Sequence, residues 1–120
     1  MDIDNVVRAR DVAVVQLFGQ VTITGASGAV ASQTSYGFTV TYVSAGKYLC
    51  TLDRLYPELL FAIAIPQLST ATECVLQLTA NDMAAGTLSF LNTTNGAAAE
   101  LATATVLNIM IVLKDSTVAP

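Results

Sequence analysis

The fold is decided by residues 15–24, which read VQLFGQVTIT. Apolar side chains occupy positions 15, 17, 21 and 23, and most of the residues between them are polar. A period of two is typical of a β-strand that buries one face in a core. Comparable apolar or alternating segments follow at 36–43, 47–52, 59–65, 72–79, 87–91 and 104–113. The sequence therefore predicts about seven strands.

Turn-forming residues separate these segments about every ten residues. Gly25-Ala26-Ser27-Gly28 and Ser44-Ala45-Gly46 are turn sequences, and Pro57 keeps the residue before it out of helical geometry. Residues 97–102 favour one or two turns of helix because alanine has the highest helix propensity. We expect residues 12–120 to form a single all-β domain, either a sandwich or a jelly-roll-like barrel.

Two of the predicted strands are apolar on both faces. Residues 106–113 read VLNIMIVL, and residues 59–65 read LLFAIAI. A strand in a monomeric sandwich needs only one apolar face, so a loop, the alanine-rich segment or another subunit must cover the second. We expect another subunit to cover it. The predicted oligomer interface consists of Leu60, Ala62, Leu107, Ile109, Ile111 and Leu113.

Charged residues are few and unevenly distributed. The 120 residues include 5 Lys and Arg, 9 Asp and Glu and no His, and 53% are hydrophobic. No charged residue occurs from Val12 to Gly46 or from Met83 to Ala99. Because a monomer of this size normally needs charge over its exposed surface, such stretches indicate contact with other protein. We expect a homo-oligomer or a component of a larger assembly.

Composition also argues against two classes of partner. Five cations on a chain with a net charge of −4 do not readily form the positive face that nucleic acid requires. The longest apolar runs, 59–65 and 106–113, are much shorter than the roughly 20 residues of a membrane-spanning helix. The first five residues, MDIDN, lack the basic start of a secretory signal. We expect no nucleic-acid partner, no membrane and assembly in the cytoplasm.

The sequence contains no recognisable catalytic motif. Without histidine, a serine or cysteine nucleophile lacks its usual general base, and no glycine motif for phosphate binding occurs. Asp53 is placed to form a turn before Pro57, and Glu58 follows that corner. Asp2 and Asp4 provide too few oxygen ligands for calcium. We therefore expect no enzyme activity, no cofactor and no metal.

The cysteines and tyrosines fit a core better than a site. Cys50 and Cys74 share strand faces with large apolar residues, which predicts two buried thiols. A disulfide between neighbouring strands is the alternative, although folding in the cytoplasm disfavours it. The 4 tyrosines could stack on a sugar, but the strand positions of three of them favour packing in the core.

Residues 46–57 read GKYLCTLDRLYP and resemble a corner found in small virion proteins of tailed bacteriophages, Gly-x-Tyr-x-x-Thr-Leu-Asp-x-x-Tyr-Pro. The likeness continues through the alanine-rich segment into the strand at 106–113 and the polar tail at 114–118. It covers about half of the chain. In the tail, Lys114-Asp115 replaces the Arg-Asn pair that is typical of those proteins.

The resemblance implies a bacteriophage capsid decoration protein, also called a cement protein. Such a protein binds the major capsid protein on the outside of the virion, as a homotrimer, after assembly in the host cytoplasm. A fibre or knob module that binds a host-surface receptor is the alternative, and an exposed aromatic-lined groove would mark it.

The first eleven residues carry five of the fourteen charges, and they are either a solvated tail or an arm that reaches other protein. For a decoration protein, this segment is expected to anchor to the capsid. The anchoring residues are Asp2, Ile3, Asp4, Val6, Val7, Arg8 and Arg10.

Overall fold

The chain folds into two β-sheets that enclose one core. A computed structural model describes residues 14–24, 28–70 and 73–115. These residues form nine strands and no helix, which confirms the predicted all-β sandwich. In chain order the strands are β1 (Val14–Thr24), β2 (Ala29–Ser35), β3 (Phe38–Ser44), β4 (Lys47–Leu52), β5 (Glu58–Gln67), β6 (Val75–Asp82), β7 (Thr87–Thr94), β8 (Ala97–Ala98) and β9 (Val106–Lys114).

All pairs of neighbouring strands are antiparallel. Sheet I has the strand order β2-β1-β9-β5, and sheet II has the order β3-β4-β7-β6 with β8 beside β7. The last strand, β9, lies between β1 and β5. Sheet I is therefore held together by pairings between distant parts of the chain. The predicted anchoring arm at residues 1–11 lies outside the described residues.

The core lies between the two sheets and takes one face of β1, β5 and β9 from sheet I. Along β9, every second residue is buried, and the same alternation occurs in β4 and β7. Burial of one such Leu or Ile side chain contributes about 1.5–3 kcal/mol to folding. The core residues of the two sheets are Leu17, Val21, Ile23, Ala64, Leu107, Ile109, Ile111 and Leu113 from sheet I, and Phe38, Val40, Tyr48, Cys50, Leu52, Leu88 and Phe90 from sheet II.

The core contains four residues of the predicted oligomer interface, so that part of the prediction is wrong. Leu107, Ile109, Ile111 and Leu113 are at most 4% exposed within one chain. They face sheet II, and a second subunit cannot reach them. Of the other two predicted interface residues, Leu60 is exposed and Ala62 is half-buried against the core.

A β-bulge in β5 decides which of its residues face outward. Leu59 pairs with Leu113 and Phe61 pairs with Val112, so Leu60 has no partner on β9. One extra residue moves every following side chain to the opposite face. Phe61, Ile63 and Ile65 therefore face outward, while Ala62 and Ala64 face the core. Simple alternation along residues 59–65 does not reveal this change.

The predicted helix at 97–102 is wrong. Asn95 and Gly96 have φ values of 53° and 80°, which fit the Asn-Gly turn of a two-residue hairpin. The turn pairs Ala97 with Thr94 on β7. Beyond it, the backbone amide of Ala99 donates to the carbonyl of Asn92 at 3.0 Å. These hydrogen bonds hold the alanines extended and override their helix propensity.

Candidate functional site

The outer face of sheet I exposes large apolar side chains instead of polar ones. Strand register places Phe18, Met110 and Ile63 in one row across β1, β9 and β5. A neighbouring row contains Val112 and Phe61, and Tyr36 follows β2 beside Phe18, to whose carbonyl it donates a backbone hydrogen bond at 3.1 Å. We call this surface the apolar face, defined as Phe18, Tyr36, Phe61, Ile63, Ile65, Met110 and Val112.

An open groove of about 530 Å³ runs along the apolar face. Phe18 and Tyr36 line one side of it, and Ile63 and Ile65 line the other. Met110 belongs to the strand between them and is half-buried. Because β1 and β5 are two strand spacings apart, the two sides are separated by about 10 Å. That width admits one row of side chains from a second surface.

The close packing of the two sheets beneath the groove depends on Gly19. A Cβ at this position would lie 2.6 Å from the Phe38 ring and 2.9 Å from Cβ of Ser35. The missing side chain lets the ring of Phe38 approach β1 from sheet II. The backbone of Gly19 contributes to the groove lining, because its Cα hydrogen on the other side faces the core.

Amide side chains border the groove on one side. Nε2 of Gln20 donates to Oδ1 of Asn108 at 2.9 Å, and Nδ2 of Asn108 approaches Oε1 of Gln67 at 3.5 Å. These three residues bond mainly to one another. Within the described part of the chain, no charged side chain lines the groove. Glu58 and Lys114 lie on the same face and pair in register at the far end of β5 and β9.

The exposure of the apolar face is large for a single chain. Phe18 is 51% exposed, Ile65 is 54% exposed and Tyr36 is 69% exposed. A large aromatic side chain carries about 150–250 Å² of surface, so the face offers on the order of 500 Å² of apolar area. Contiguous patches of this size in soluble proteins usually mark an interaction site.

A second cluster is centred on Glu100, which connects the segment after β8 to β3 and to the turn between β3 and β4. Oε1 of Glu100 accepts hydrogen bonds from the Tyr42 hydroxyl at 2.7 Å and from the Gly46 amide at 3.0 Å. The bond to Glu100 is the main reason that the pKa of Tyr42 lies above its usual value. The ring of Tyr42 also contacts that of Tyr48 edge to face, with centroids 5.7 Å apart. Glu100 is not among the residues predicted from the sequence, where its only signal is an isolated charge after a long uncharged stretch.

Gly46 is the point at which this cluster meets the corner at residues 46–57. Its φ is 70°, and an added Cβ would clash with the carbonyl oxygens of Ala99 and Asn92. At the other end of the corner, Tyr56 is buried and the guanidinium of Arg54 lies 4.4 Å from its ring centroid. Arg54 also forms a salt bridge with Asp115. The corner is therefore joined to the segment that follows β9.

The remaining predicted residues occupy structural positions. Cys50 is buried, Cys74 is half-buried, and both are free thiols. Burial raises the pKa of the Cys50 thiol to about 12. Tyr48 is buried and its hydroxyl donates to the carbonyl of Gly28 at 2.5 Å, whereas Tyr36 is exposed beside the groove.

The described residues include neither a metal-binding cluster nor a membrane-spanning helix. Within 14–24, 28–70 and 73–115, no group of three or more His, Cys, Asp or Glu residues could hold a metal ion. No helix in that part of the chain is long and apolar enough to cross a membrane. Comparison of the chain with protein families, curated proteins and solved structures found no match.

Proposed function

We propose that the chain is a non-enzymatic structural protein of a bacteriophage particle, a capsid decoration protein that binds the outer capsid surface as a homotrimer and stabilises the head. The observation that carries this proposal is the apolar face, which lies outside a core that is already closed. A protein that works within a permanent assembly can keep such a face because neighbouring protein covers it. The resemblance of residues 46–57 to a corner of phage virion proteins points to the kind of assembly.

The proposed mechanism is noncovalent clamping. Each oligomer contacts several capsid subunits at once, so the loss of one subunit requires several contacts to break together. Weak individual contacts then produce tight overall attachment. The partner is the major capsid protein, and the location is the exterior of the virion. The charged segment at residues 1–11 supplies the anchor, in which Arg8 and Arg10 pair with acidic groups of the capsid.

Co-sedimentation tests this proposal directly. The full-length protein is mixed with purified capsids of the phage that encodes it, and bound protein is measured after centrifugation. We expect saturable binding and a higher temperature for capsid disruption. A variant that lacks residues 1–11 should keep the oligomer and bind capsids more weakly. Absence of binding by the full-length protein would contradict the proposed function, and equal binding by the truncated protein would contradict the role of the arm.

A receptor-binding fibre or knob module is the second candidate function. The feature that favours it is the groove itself, which exposes the aromatic rings of Phe18 and Tyr36 beside the amide of Asn108. Aromatic rings with neighbouring amides are suited to sugar rings and their hydroxyl groups. Binding of the purified protein to host cells, lost in Tyr36→Ala and retained in Val43→Ala, would support this candidate. Val43 is a suitable control because it is exposed on sheet II.

A further inference from the structure

We infer that the apolar face is the surface through which copies of this chain associate, with each copy turning sheet I toward its neighbours. This inference rests on the proposed homo-oligomer and adds the location of its interface. The apolar face takes the place of the four β9 residues of the predicted interface, because the core already buries those residues. The partner of the face is thus another copy of the same chain, and attachment to a capsid falls to other surfaces.

The shape of the apolar face is compatible with self-association. Phe18 on β1 and Ile65 on β5 are just over half exposed, whereas Met110 on β9 between these strands is half-buried. The surface therefore has two raised rows with a depression between them. Because β5 is an edge strand of sheet I, its row is accessible to a neighbouring copy. A raised row of one copy can enter the groove of the next, and a heterologous contact of this kind closes into a ring when the rotation permits.

The electrostatics of the apolar face also favour a copy of the same chain. When two copies of one face meet, any charge on that face is brought close to a like charge. None of the described residues that line this groove is charged. Glu58 and Lys114 carry opposite charges and lie at one end of the sheet, away from the groove. Two copies can therefore approach along the central rows without placing like charges opposite each other.

The area is sufficient for a stable contact. A standard protein interface buries about 800 Å² on each partner, with an apolar centre and a polar rim. The apolar face provides on the order of 500 Å² as the centre. Polar neighbours on the same sheet, including Gln16, Gln20 and Thr34, supply the rim.

A sugar fits the groove less well than a protein surface does. Sugar hydroxyls need hydrogen-bonding groups that are free to receive them. Of the amides at the groove, Gln20 and Asn108 already bond to each other at 2.9 Å. The hydroxyls of Thr34 and Tyr36 remain at one edge, but most of the lining consists of apolar side chains that offer contact area and no strong hydrogen bonds, namely Phe18, Ile63, Ile65, Ile109 and Met110. The balance favours the apolar surface of another copy.

Light scattering after size exclusion tests the inference on the full-length chain. The variant Ile63→Asp places a charge in the centre of the apolar face, and the matched control Val43→Asp places the same charge at an exposed apolar position of sheet II. We expect the wild-type protein and Val43→Asp to share an oligomeric mass and Ile63→Asp to elute as a folded monomer. Circular dichroism confirms that each variant is folded.

Milder variants cover the case in which Ile63→Asp does not fold. Phe18→Thr and Ile65→Thr keep strand propensity and remove apolar area, and each should raise the dissociation constant of the oligomer at least tenfold. An oligomer unchanged in both variants would overturn the inference, as would a wild-type protein that is monomeric at all concentrations. A monomer that binds host glycans through Phe18 and Tyr36 would overturn it in favour of a sugar site.

The outcome for the interface can be separated from the outcome for the proposed function. A wild-type oligomer that Ile63→Asp dissociates supports the interface even when capsids of the encoding phage do not bind the protein, and in that case the decoration role fails alone. The converse result is that the wild-type protein binds capsids and that the variants Ile63→Asp, Phe18→Thr and Ile65→Thr all keep the oligomer. This result contradicts the interface and leaves the decoration role intact.

Discussion

The outer faces of the two sheets are both poor in charge, but they differ in what they expose. Sheet I exposes the apolar face, with rings and branched aliphatic chains. Sheet II exposes threonine and serine together with the separate apolar side chains of Val43, Val75 and Leu78. Some of its hydroxyls donate to the backbone of the same sheet. Thr41 donates to the carbonyl of Leu49 at 3.4 Å, and Thr79 donates to that of Ser89 at 3.2 Å.

This difference shows that a low charge content does not by itself indicate a buried surface. Threonine favours strands and keeps a hydroxyl for water, so the outer face of sheet II can remain solvated without many charges. The outer face of sheet I has no comparable set of hydroxyls in its central rows. Uncharged sequence therefore predicted contact for both faces, whereas the continuous rows of exposed apolar side chains lie on sheet I.

The largest expected effect is a difference in stability between substitutions on the inner face and on the outer face of sheet I. Ile111 is completely buried, whereas Ile63 is 37% exposed on the opposite face. Ile111→Asp buries an unpaired carboxylate and should lower the free energy of unfolding by more than about 4 kcal/mol. Ile63→Asp should leave a folded chain. Urea unfolding followed by circular dichroism measures both, and equal losses would mean that the assignment of the two faces is wrong.

The next prediction concerns a variant in which the outer face of sheet II is made apolar, like that of sheet I. One row across β3, β4 and β7 consists of Thr41, Leu49 and Ser89. In this row Thr41 pairs with Leu49, and Leu49 pairs with Ser89. The double variant Thr41→Ile/Ser89→Ile creates a second apolar outer face. Each copy then has two associating surfaces, so we expect open-ended assembly instead of a closed oligomer.

Light scattering at increasing concentration measures this change. The control is Thr41→Val/Ser89→Thr, which alters the same positions with less added apolar volume and should keep the wild-type mass. An unchanged mass in the isoleucine variant would show that bulky apolar side chains on an outer face are not enough to drive association.

Alkaline pH distinguishes the inner faces of the two sheets. Sheet II buries Cys50 and Tyr48, whereas the inner face of sheet I is aliphatic. Burial raises the pKa of the Cys50 thiol from 9.0 to about 12 and is the main reason that the pKa of Tyr48 also lies above its usual value. The unfolded chain releases these protons at lower pH than the folded chain does, so stability is full below about pH 9 and falls as the pH rises.

The expected fall for one such group is at most about 1.4 kcal/mol per pH unit, between pH 9 and 12 for Cys50. Urea unfolding at several pH values measures the slope. In Cys50→Ala the slope should be much smaller between pH 9 and 10, before tyrosine ionises in the unfolded chain. A wild-type stability that does not change over this range would contradict the burial of the thiol.

The smallest effect is expected at Leu60, which belongs to neither paired face. It lies in the bulge of β5 and is 48% exposed. Leu60→Ser should change the free energy of unfolding by no more than about 0.5 kcal/mol, and it should leave the oligomeric mass unchanged. Loss of the oligomer in this variant would extend the interface beyond the apolar face, to the bulge.

The sequence predicted the class of fold and the two-sided apolar strands because both follow from a period of two. It did not predict which face of β9 enters the core, since both faces have the same period. Asn108 was the available signal, because a lone amide is easier to place outside a core than inside it. For β5, the bulge at Leu60 exchanges the faces, and only pairing with β9 reveals it.

Other features were missed because their causes lie far away in the chain. Strand β2 reads AVASQTS and has no clear apolar alternation, so its pairing with β1 gives it its structure. Helix propensity at 97–102 was overridden by hydrogen bonds from Asn92. The role of Glu100 depends on Tyr42 and Gly46, which are more than fifty residues earlier.

The measurement that tests the central claim most directly is the solution mass of the wild-type protein over a wide range of concentrations. The central claim is that copies of this chain cover the apolar face. It predicts a stable oligomeric mass, and for the proposed homotrimer that mass is about 37.5 kDa, three times the 12.5 kDa of one chain. A mass of 12.5 kDa at every concentration would contradict it, because Phe18, Ile63 and Ile65 would then remain exposed in the isolated protein.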